Sequence, residues 1–494
     1  MTFLRAAAIG CALCVPGYGV EADAPAEKTP IVEATPASGY KGVWYHNGAF
    51  VEPHGHKYSG GLGTYCAKHS PFAVYCPEAD KTFFTYGGTT DESDTELLHM
   101  IAYFDHRTGR VCRPRVLLNK QTGDAHDNPV LQVDPDGRVW LFSTSHGRAR
   151  PSFIHRSVEP YSIDRFERVA AVRATPDGHE PFDNFSYMQV HRSPAAGFVA
   201  FFTRYGDPAV RTSMFTTSPD GVAWSSWRRL AAIDEGHYQI SAVDGDRAAC
   251  VFNYHPEGEG LNHRTNLYYV ETLDGGATWK AACGQEVAVP VTSPDSPALI
   301  HDYRTEGRKV YLKDLRFDPT GAPVALVVTS DGPAPGPASG VRQWELLRWE
   351  SGEWRRSVVT QSDHNYDMGS LYFEPRRWRI IAPTDPGPQP HGTGGEIVSW
   401  SSDDRGRTWR RDTALTSGSE FNHTYVRRPV HAHDDFYALW ADGDPRQPSR
   451  SRLYFCNRAG EVFRLPEQME ADEVVPESVG RPTTPDSSRS QPAS

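Results

Sequence analysis

The sequence has no uninterrupted apolar run of about 18 residues, so no segment of it is expected to span a membrane. It has no excess of positive charge either: Lys plus Arg number 51 against 62 Asp plus Glu, a net charge of −11. A dedicated nucleic-acid binder needs the opposite balance, so nucleic acid is set aside as a partner, although one local basic cleft can still hold a polyanion. Cysteine is sparse, with eight in 494 residues. Cys11 and Cys14 fall near the N-terminus; Cys66, Cys76, Cys112, Cys250, Cys283 and Cys456 are scattered, unlike the framework of a disulfide scaffold. Export would permit bridges, but the spacing does not demand them.

What is present points to a folded all-β chain. Hydrophobic residues at 38% and charged residues at 23% rule out a disordered or fibrous protein. The 12 Trp, 22 Tyr and 22 Phe, set against 43 Gly and 39 Pro, predict many short strands joined by many turns. At about 100–200 residues per domain the length suggests three or four domains, but closed all-β architectures absorb such a length as one unit.

The ends read as processing and tail. Residues 1–24 combine an early Arg5, an apolar stretch from Ala6 to Val15 and Ala22-Asp-Ala24 as a cleavage site, and they predict a secretory signal. Gly10-Cys11 offers a lipoprotein cleavage point as the alternative, with poor flanks. Residues 25–38 are polar and Pro/Ala-rich and predict a linker. Residues 467–494 turn to Pro, Ser, Thr and Glu and predict a disordered tail. The expected product is secreted or periplasmic.

Between them, residues 39–466 repeat. A strand, a tight turn and a second strand recur seven times. The copies start at Phe72, Pro129, Met188, Ile240, Val310, Ser370 and Tyr425, with turns such as Pro77-Glu-Ala-Asp80, Asp134-Pro-Asp-Gly137 and Asp318-Pro-Thr-Gly321. A second signal accompanies them. Thr272-Leu-Asp-Gly-Gly-Ala-Thr-Trp279 and Ser402-Asp-Asp-Arg-Gly-Arg-Thr-Trp409 match the Asp-box hairpin, and Ser218-Pro-Asp-Gly-Val-Ala-Trp224 is a shortened copy. In this hairpin the Asp caps turn amides, Gly takes positive φ and Trp packs between sheets. The fold predicted is a seven-bladed β-propeller with four-stranded antiparallel blades. Two β-sandwich domains are the alternative, but no linker separates them.

Chemistry is expected where each first strand begins and each second strand ends, because a strand out and a strand back return the chain to one rim. Those positions hold His69, His126, His146, Tyr187, Arg204, Tyr238, His255, His301, His364 and His423. Each has a plainer reading as a loop-tying hydrogen bonder, and Arg204 could simply pair with Asp183 or Asp207. Two His flanking one hairpin, with Tyr and Arg at matching places in the next, are harder to dismiss.

Here a resemblance becomes specific. Asp124-Ala-His126-Asp-Asn-Pro129, Ser143-Thr-Ser-His146-Gly147, Asn184-Phe-Ser-Tyr187 and Phe202-Thr-Arg204-Tyr205 resemble the propeller ulvan lyases. The stretch Lys57-Tyr-Ser-Gly-Gly-Leu-Gly-Thr-Tyr65 is similar to the wider sialidase-like repeat group. The resemblance covers about residues 39–465 and implies a polysaccharide lyase acting on an acidic, uronate-containing polysaccharide. A related propeller family hydrolyses rhamnose from glucuronate, and that resemblance implies a catalytic His near His69. A non-catalytic glycan-binding propeller is the third reading. No Arg-Ile-Pro motif occurs, so the Asp-boxes indicate a fold rather than sialidase activity.

In β-elimination the C5 proton of a uronate leaves only when the neighbouring carboxylate is neutralised. Arg204 suits that task, because a guanidinium stays charged and grips a carboxylate with two hydrogen bonds. His126 is the expected base and Tyr187 the expected acid toward the leaving oxygen, or the two in exchanged roles. His146, Tyr238 and His69 are expected to bind and orient substrate. No organic cofactor is needed. A structural zinc is expected at His255, His263, Cys283 and His301, which the same out-and-back argument places on one rim as a closed tetrahedral set. The plainer reading is an ordinary thiol and three hydrogen-bonding imidazoles, since these spacings match no short zinc motif.

Overall fold

The computed structural model describes residues 30–480 apart from 44, 50–53, 55, 61–67, 91–95, 148–149 and 448, and at 46–49 and 56–60 the backbone alone. The described chain is all-β, without an α-helix. All of the hairpins read from the sequence form. They are Ala73–Cys76 with Lys81–Gly88, Pro129–Val133 with Val139–Ser143, and Ser186–Ser193 with Gly197–Tyr205. Gln239–Asp244 with Arg247–Tyr254, Lys309–Phe317 with Pro323–Ser330, Ser370–Glu374 with Arg377–Asp385, and Asn422–Arg427 with Ala438–Gly443 follow. A third and a fourth strand extend each hairpin outward into an antiparallel meander.

Turn chemistry explains the hairpins. In Asp134-Pro-Asp-Gly137 the Asp134 carboxylate accepts the amides of Asp136 and Arg138, and Gly137 sits at φ 77°. In Asp318-Pro-Thr-Gly321 the Asp318 carboxylate accepts the amides of Thr320 and Ala322, and Gly321 sits at φ 82°. A short acceptor three residues before a residue of positive φ reverses the chain without a Cβ clash. The Asp-boxes are built alike. Asp274 accepts the Thr278 amide and hydroxyl, Asp404 accepts those of Thr408, and Trp279 is buried against Phe201 and Phe215 of the preceding meander.

The first strands meet around a common centre. The Leu131 amide donates to Pro71 and the Val190 amide to Ser70. The Tyr75 amide donates to Val430 and the Val430 amide to Ala73, so the first meander touches the last. A cavity of about 590 Å³ runs between these strands, lined among others by Lys68, His69, Lys313, Arg316, Arg427 and Arg428.

Two expectations about the ends are corrected. Residues 30–38 are not a free linker: Ile31–Glu33 pairs with Arg165–Glu167, and Thr35–Pro36 with Arg115–Val116. Residues 467–480 are not tail: Glu473–Val474 pairs with Val111–Cys112, and Glu477–Gly480 with Val462–Arg464. The physical reason is the outer edge of each meander. It carries unpaired N–H and C=O groups that a polar strand satisfies as well as an apolar one. Composition reports apolar burial and is blind to this. The signal at 1–24 and residues 481–494 lie outside the described residues. Among the described residues Cys76, Cys112, Cys250 and Cys456 are buried free thiols and Cys283 an exposed one, and burial pushes Cys76, Cys112 and Cys456 up to about 12. No helix there is long and apolar enough to cross a membrane.

Candidate active site

The second meander supplies a carboxylate held between two imidazoles. Asp124 lies in the loop before Pro129–Val133, and His146 in the loop after Val139–Ser143. His126 Nδ1 is 2.6 Å from Asp124 Oδ1, and His146 Nδ1 is 2.8 Å from Asp124 Oδ2. The two rings stack with centroids 4.1 Å apart, 17° from parallel. A carboxylate only accepts, so both histidines carry their proton on Nδ1 and present Nε2 as the basic atom. Burial alone would raise Asp124, but the hydrogen bonds and charges of His126 and His146 hold it well below the usual carboxylate range. Burial lowers His126 from the ordinary 6.5, against the opposing pull of Asp124. Arg150 completes the group, with Nη2 2.7 Å from Asp124 and Nε bonded to the Asp127 carboxylate.

Tyr187 comes from the third meander, in a bulge between Ser186 and Gln189 where it adopts φ 51°. Positive φ is a genuine outlier for a bulky residue, and a bulge re-aims the side chain it carries. Tyr187 is fully buried, its ring 5.5 Å from His69, 5.9 Å from His126 and 5.6 Å from Tyr238. The Tyr205 hydroxyl donates to the Tyr187 oxygen at 3.1 Å.

The cation here is Arg211, not Arg204. Side chains alternate along a strand, so with Tyr205 facing Tyr187 its neighbour Arg204 falls on the other face. There its guanidinium lies 4.7 Å over the Trp227 ring, with Nη1 3.4 Å from the Asn184 carbonyl. Arg211 opens the third strand, Arg211–Ser218, and sits 5.1 Å over Tyr205 and 5.5 Å over Tyr238. It is 7% exposed, and its Nε and Nη1 have no hydrogen-bond partner. Burial would lower Arg211, but the hydroxyls of Tyr238, Tyr205 and Tyr187 outweigh it and the net shift is upward. Burial raises Tyr205 to about 12 despite Arg211 beside it.

His69 and Tyr238 belong to the same region in different ways. His69 is completely buried, with Nε2 3.1 Å from the His126 carbonyl and 3.3 Å from the Thr144 hydroxyl, so it props the His126 loop. Tyr238 lies under Arg264 at 4.3 Å and beside His255, ring to ring 5.3 Å. Further inward Lys68 donates to the Leu312 carbonyl and Lys313 to that of Asn365. Burial pushes Lys313 down to about 7, with Asp367 opposing, and lowers Lys68 strongly.

The expected zinc set is not brought together. Among the described residues two groups of three are close enough to share an ion: Asp124, His126 and His146, and His106, His433 and Asp435. For Cys283 to reach that rim, a fourth strand would have to lie between the Asp-box and Cys283. Instead Lys280 pairs with Glu271, Ala281 closes a tight turn on Gln285, and exposed Cys283 stays in that turn. The fourth strand is the later Leu299–His301. There His301 bonds Glu306 at 2.8 Å, while His263 faces Glu259 at 3.3 Å. In the Asp124 group both carboxylate oxygens are already taken by ring N–H donors and Arg150, which suits proton transfer rather than an ion.

Asp124, Arg150, Tyr205, Arg211 and Arg264 were not singled out from the sequence. The signal existed for Arg211 and Arg264: a third strand starts at the same rim as a first, and both stand at such starts. His364 and His423 are buried, His364 accepting the Tyr366 amide of its own loop and His423 accepting Trp440 Nε1 from the neighbouring strand Ala438–Gly443.

Comparison with known proteins agrees with this architecture. Two solved structures of a polysaccharide lyase, the PL25 ulvan lyase, superpose over most of the chain. One has 16% identity and a TM-score of 0.63, over 87% of this chain and 96% of that one. The other, with -[GlcA(1-4)Rha3S]- bound, has 15% identity and a TM-score of 0.62, over 86% and 95%. At that identity the likeness is one of fold. No curated protein matches the sequence. The family model described as BNR repeat-containing family member matches residues 93–362, more than half of the sequence, and the chain belongs to that family.

Proposed function

We propose that the chain is an exported polysaccharide lyase on a seven-bladed β-propeller, cleaving an ulvan-like, uronate-containing polysaccharide by β-elimination. The observation that carries this reading is Arg211: a buried guanidinium with two unpartnered nitrogens, set among tyrosines beside an aspartate-linked histidine pair. Buried guanidinium N–H groups without acceptors are costly unless an anion completes them, and a uronate carboxylate is an anion of fitting shape. Seven successive meanders, with the first bonded to the last through Tyr75 and Val430, support the blade count.

In the proposed reaction Arg211 grips the carboxylate and spreads the charge that builds as the C5 proton leaves. That proton passes to Nε2 of His126, whose lowered basicity keeps it neutral and receptive at pH 7. The C5–H pair becomes the C4–C5 double bond, the C4–O bond breaks, and the leaving oxygen takes the Tyr187 proton. Tyr205, donating to Tyr187, steadies the phenolate this leaves. His146, with 30% of its side chain exposed, faces the arriving sugar, and Tyr238 flanks it.

Hydrolysis fits less well. A glycosidase needs two facing carboxyl groups, and Asp124 and Asp127 are both bound to Arg150. His69, on which a rhamnosidase reading rests, is buried behind the His126 backbone. Incubation with ulvan should raise the ultraviolet absorbance of an unsaturated uronate. Free rhamnose without that absorbance would mean hydrolysis, and retention of ulvan with neither product would mean a binding protein.

A further inference from the structure

At the opposite end of the sheets lies a second group of ligating side chains that the lyase reading does not use. His106 follows the strand Leu98–Asp105 of the first meander. His433 and Asp435 lie in the turn between Asn422–Arg427 and Ala438–Gly443 of the last. The His106 and His433 rings approach to 3.9 Å between centroids. His106 Nδ1 is 3.8 Å from Asp435 Oδ2, and His433 Nδ1 is 3.6 Å from the same oxygen.

The hydrogen bonds leave one buried lone pair, that of His106 Nδ1, facing the carboxylate. The His106 side chain is 2% exposed, and its Nε2 is 2.8 Å from the Thr82 hydroxyl. Its Nδ1 is buried without a hydrogen-bond partner, because 3.8 Å to Asp435 is too long for one. A proton on Nδ1 would draw the carboxylate in; the proton therefore belongs on Nε2, toward Thr82. That is the outer hydrogen bond that fixes the tautomer of a metal-bound histidine. His433 Nδ1 is unprotonated as well, since it accepts the Asp435 amide at 3.2 Å, a hydrogen bond that an ion on this nitrogen would displace. Three electron-rich atoms thus converge with no ring proton among them, and the Asp435 amide is the one donor that reaches the group. Tyr75 packs on both rings, 5.1 Å from His106 and 4.8 Å from His433, and Phe104 packs 4.9 Å from His106. Asp435 is 59% exposed, which leaves one side open to water.

We propose that His106, His433 and Asp435 bind a divalent transition metal of the zinc class, as a clasp between the first and last meanders. Two imidazoles and one carboxylate are a borderline donor set of the kind zinc accepts, with water in the fourth position. Ligand atoms around a tetrahedral zinc stand about 3.3 Å apart, from bonds of about 2.0–2.1 Å. The two nitrogen-to-carboxylate separations need to contract by only a few tenths of an ångström. The metal joins the place where the Tyr75–Val430 hydrogen bonds already hold the beginning of the fold to its end. Its role is in stability, since no atom of the group belongs to the histidine–tyrosine–arginine site.

The test uses the full chain after chelator washing, titrated with zinc and separately with cobalt(II) as a visible-absorbance probe. Wild type should take up about one ion per chain, melt several degrees higher with it, and give the intense cobalt spectrum of a four-coordinate site. His433→Ala and Asp435→Asn should lose uptake, melting shift and spectrum together. Asp435→Asn alters one exposed side chain and keeps its shape, so it remains informative if His433→Ala folds poorly. His146→Ala should respond to zinc like wild type. No uptake by wild type, unchanged uptake in Asp435→Asn, or uptake lost only in His146→Ala would each overturn the site.

Discussion

Two groups of two histidines and one aspartate stand at opposite ends of these sheets, and they are wired in opposite senses. In the Asp124 group the carboxylate is the hub: each oxygen takes a ring N–H, Arg150 adds a positive charge, and no donor or acceptor is left facing its like. In the Asp435 group the nearest ring nitrogens stand 3.6 and 3.8 Å from the carboxylate without a proton of their own; His433 Nδ1 takes the Asp435 amide and His106 Nδ1 has no partner. Residue types alone do not separate proton transfer from ion binding; the placement of protons does. A hub carboxylate fixes tautomers and keeps two Nε2 atoms basic, whereas unprotonated ring nitrogens set beside a carboxylate call for a cation.

The largest effect expected concerns Arg211, the guanidinium set among the tyrosines beside the Asp124 group. Arg211→Met should lower kcat/KM on uronate polysaccharide by about 10³-fold, the scale for removing a preorganised charge from a developing anion. Arg204→Ala should cost less than about tenfold, since Arg204 stacks on Trp227 outside the site. The reverse ranking would return the carboxylate to Arg204. Next comes the hub. Asp124→Asn should lower kcat by about 10²-fold or more while the protein stays folded. An amide can accept from one imidazole only, so its NH₂ must drive the other to the wrong tautomer. Asp435→Asn should leave catalysis at the wild-type rate. Equal losses in the two variants would erase the contrast between the clusters.

How far these features were readable from the sequence differs between backbone and site. The hairpins were readable because Asp134-Pro-Asp-Gly137 and its relatives carry their turn mechanism locally. His126, His146 and Tyr187 were readable because first-strand starts and second-strand ends share a rim. Arg211 was missed because third-strand starts share that rim too, and Arg264 and Arg342 stand at the same position in later meanders. Alternation from Tyr205 would have turned Arg204 away. The bulge that aims Tyr187 has no such sequence mark, because it depends on pairing with Gly197–Tyr205. The edge strands at 31–36 and 473–480 were unreadable for a different reason. Their partners are backbone groups far away in sequence, and polar composition is compatible with that role. The zinc expectation failed at one turn, Ala281 to Gln285, that holds Cys283 away from the rim.

The smallest effect expected is a shift of the acid limb of the rate profile, and it tests the hub from within. kcat/KM follows the neutral fraction of the base in the free enzyme. Burial lowers His126 below 6.5, so wild-type activity should persist below that pH before it falls. Two neighbours then pull in opposite directions. Asp124 raises His126 through its hydrogen bond, and His146 lowers it by its charge. In the residual activity of Asp124→Asn the limb should therefore move to lower pH, and in His146→Ala to higher pH. Stability follows the same sign. The unfolded state takes up a proton near 6.5 that folded His126 refuses, so its contribution to stability declines as pH falls through that value. Asp124 acts further down. Its carboxyl is held low in the fold, so its contribution is present above the ordinary carboxylate value of 3.8 and is lost below it. Urea midpoints read across pH should show two separate declines in wild type, and Asp124→Asn should have a smaller lower one, since Asp274 and Asp404 are held low as well. A wild-type limb at or above 6.5, or limbs moving the same way in both variants, would show that the base titrating in catalysis is not the histidine Asp124 holds.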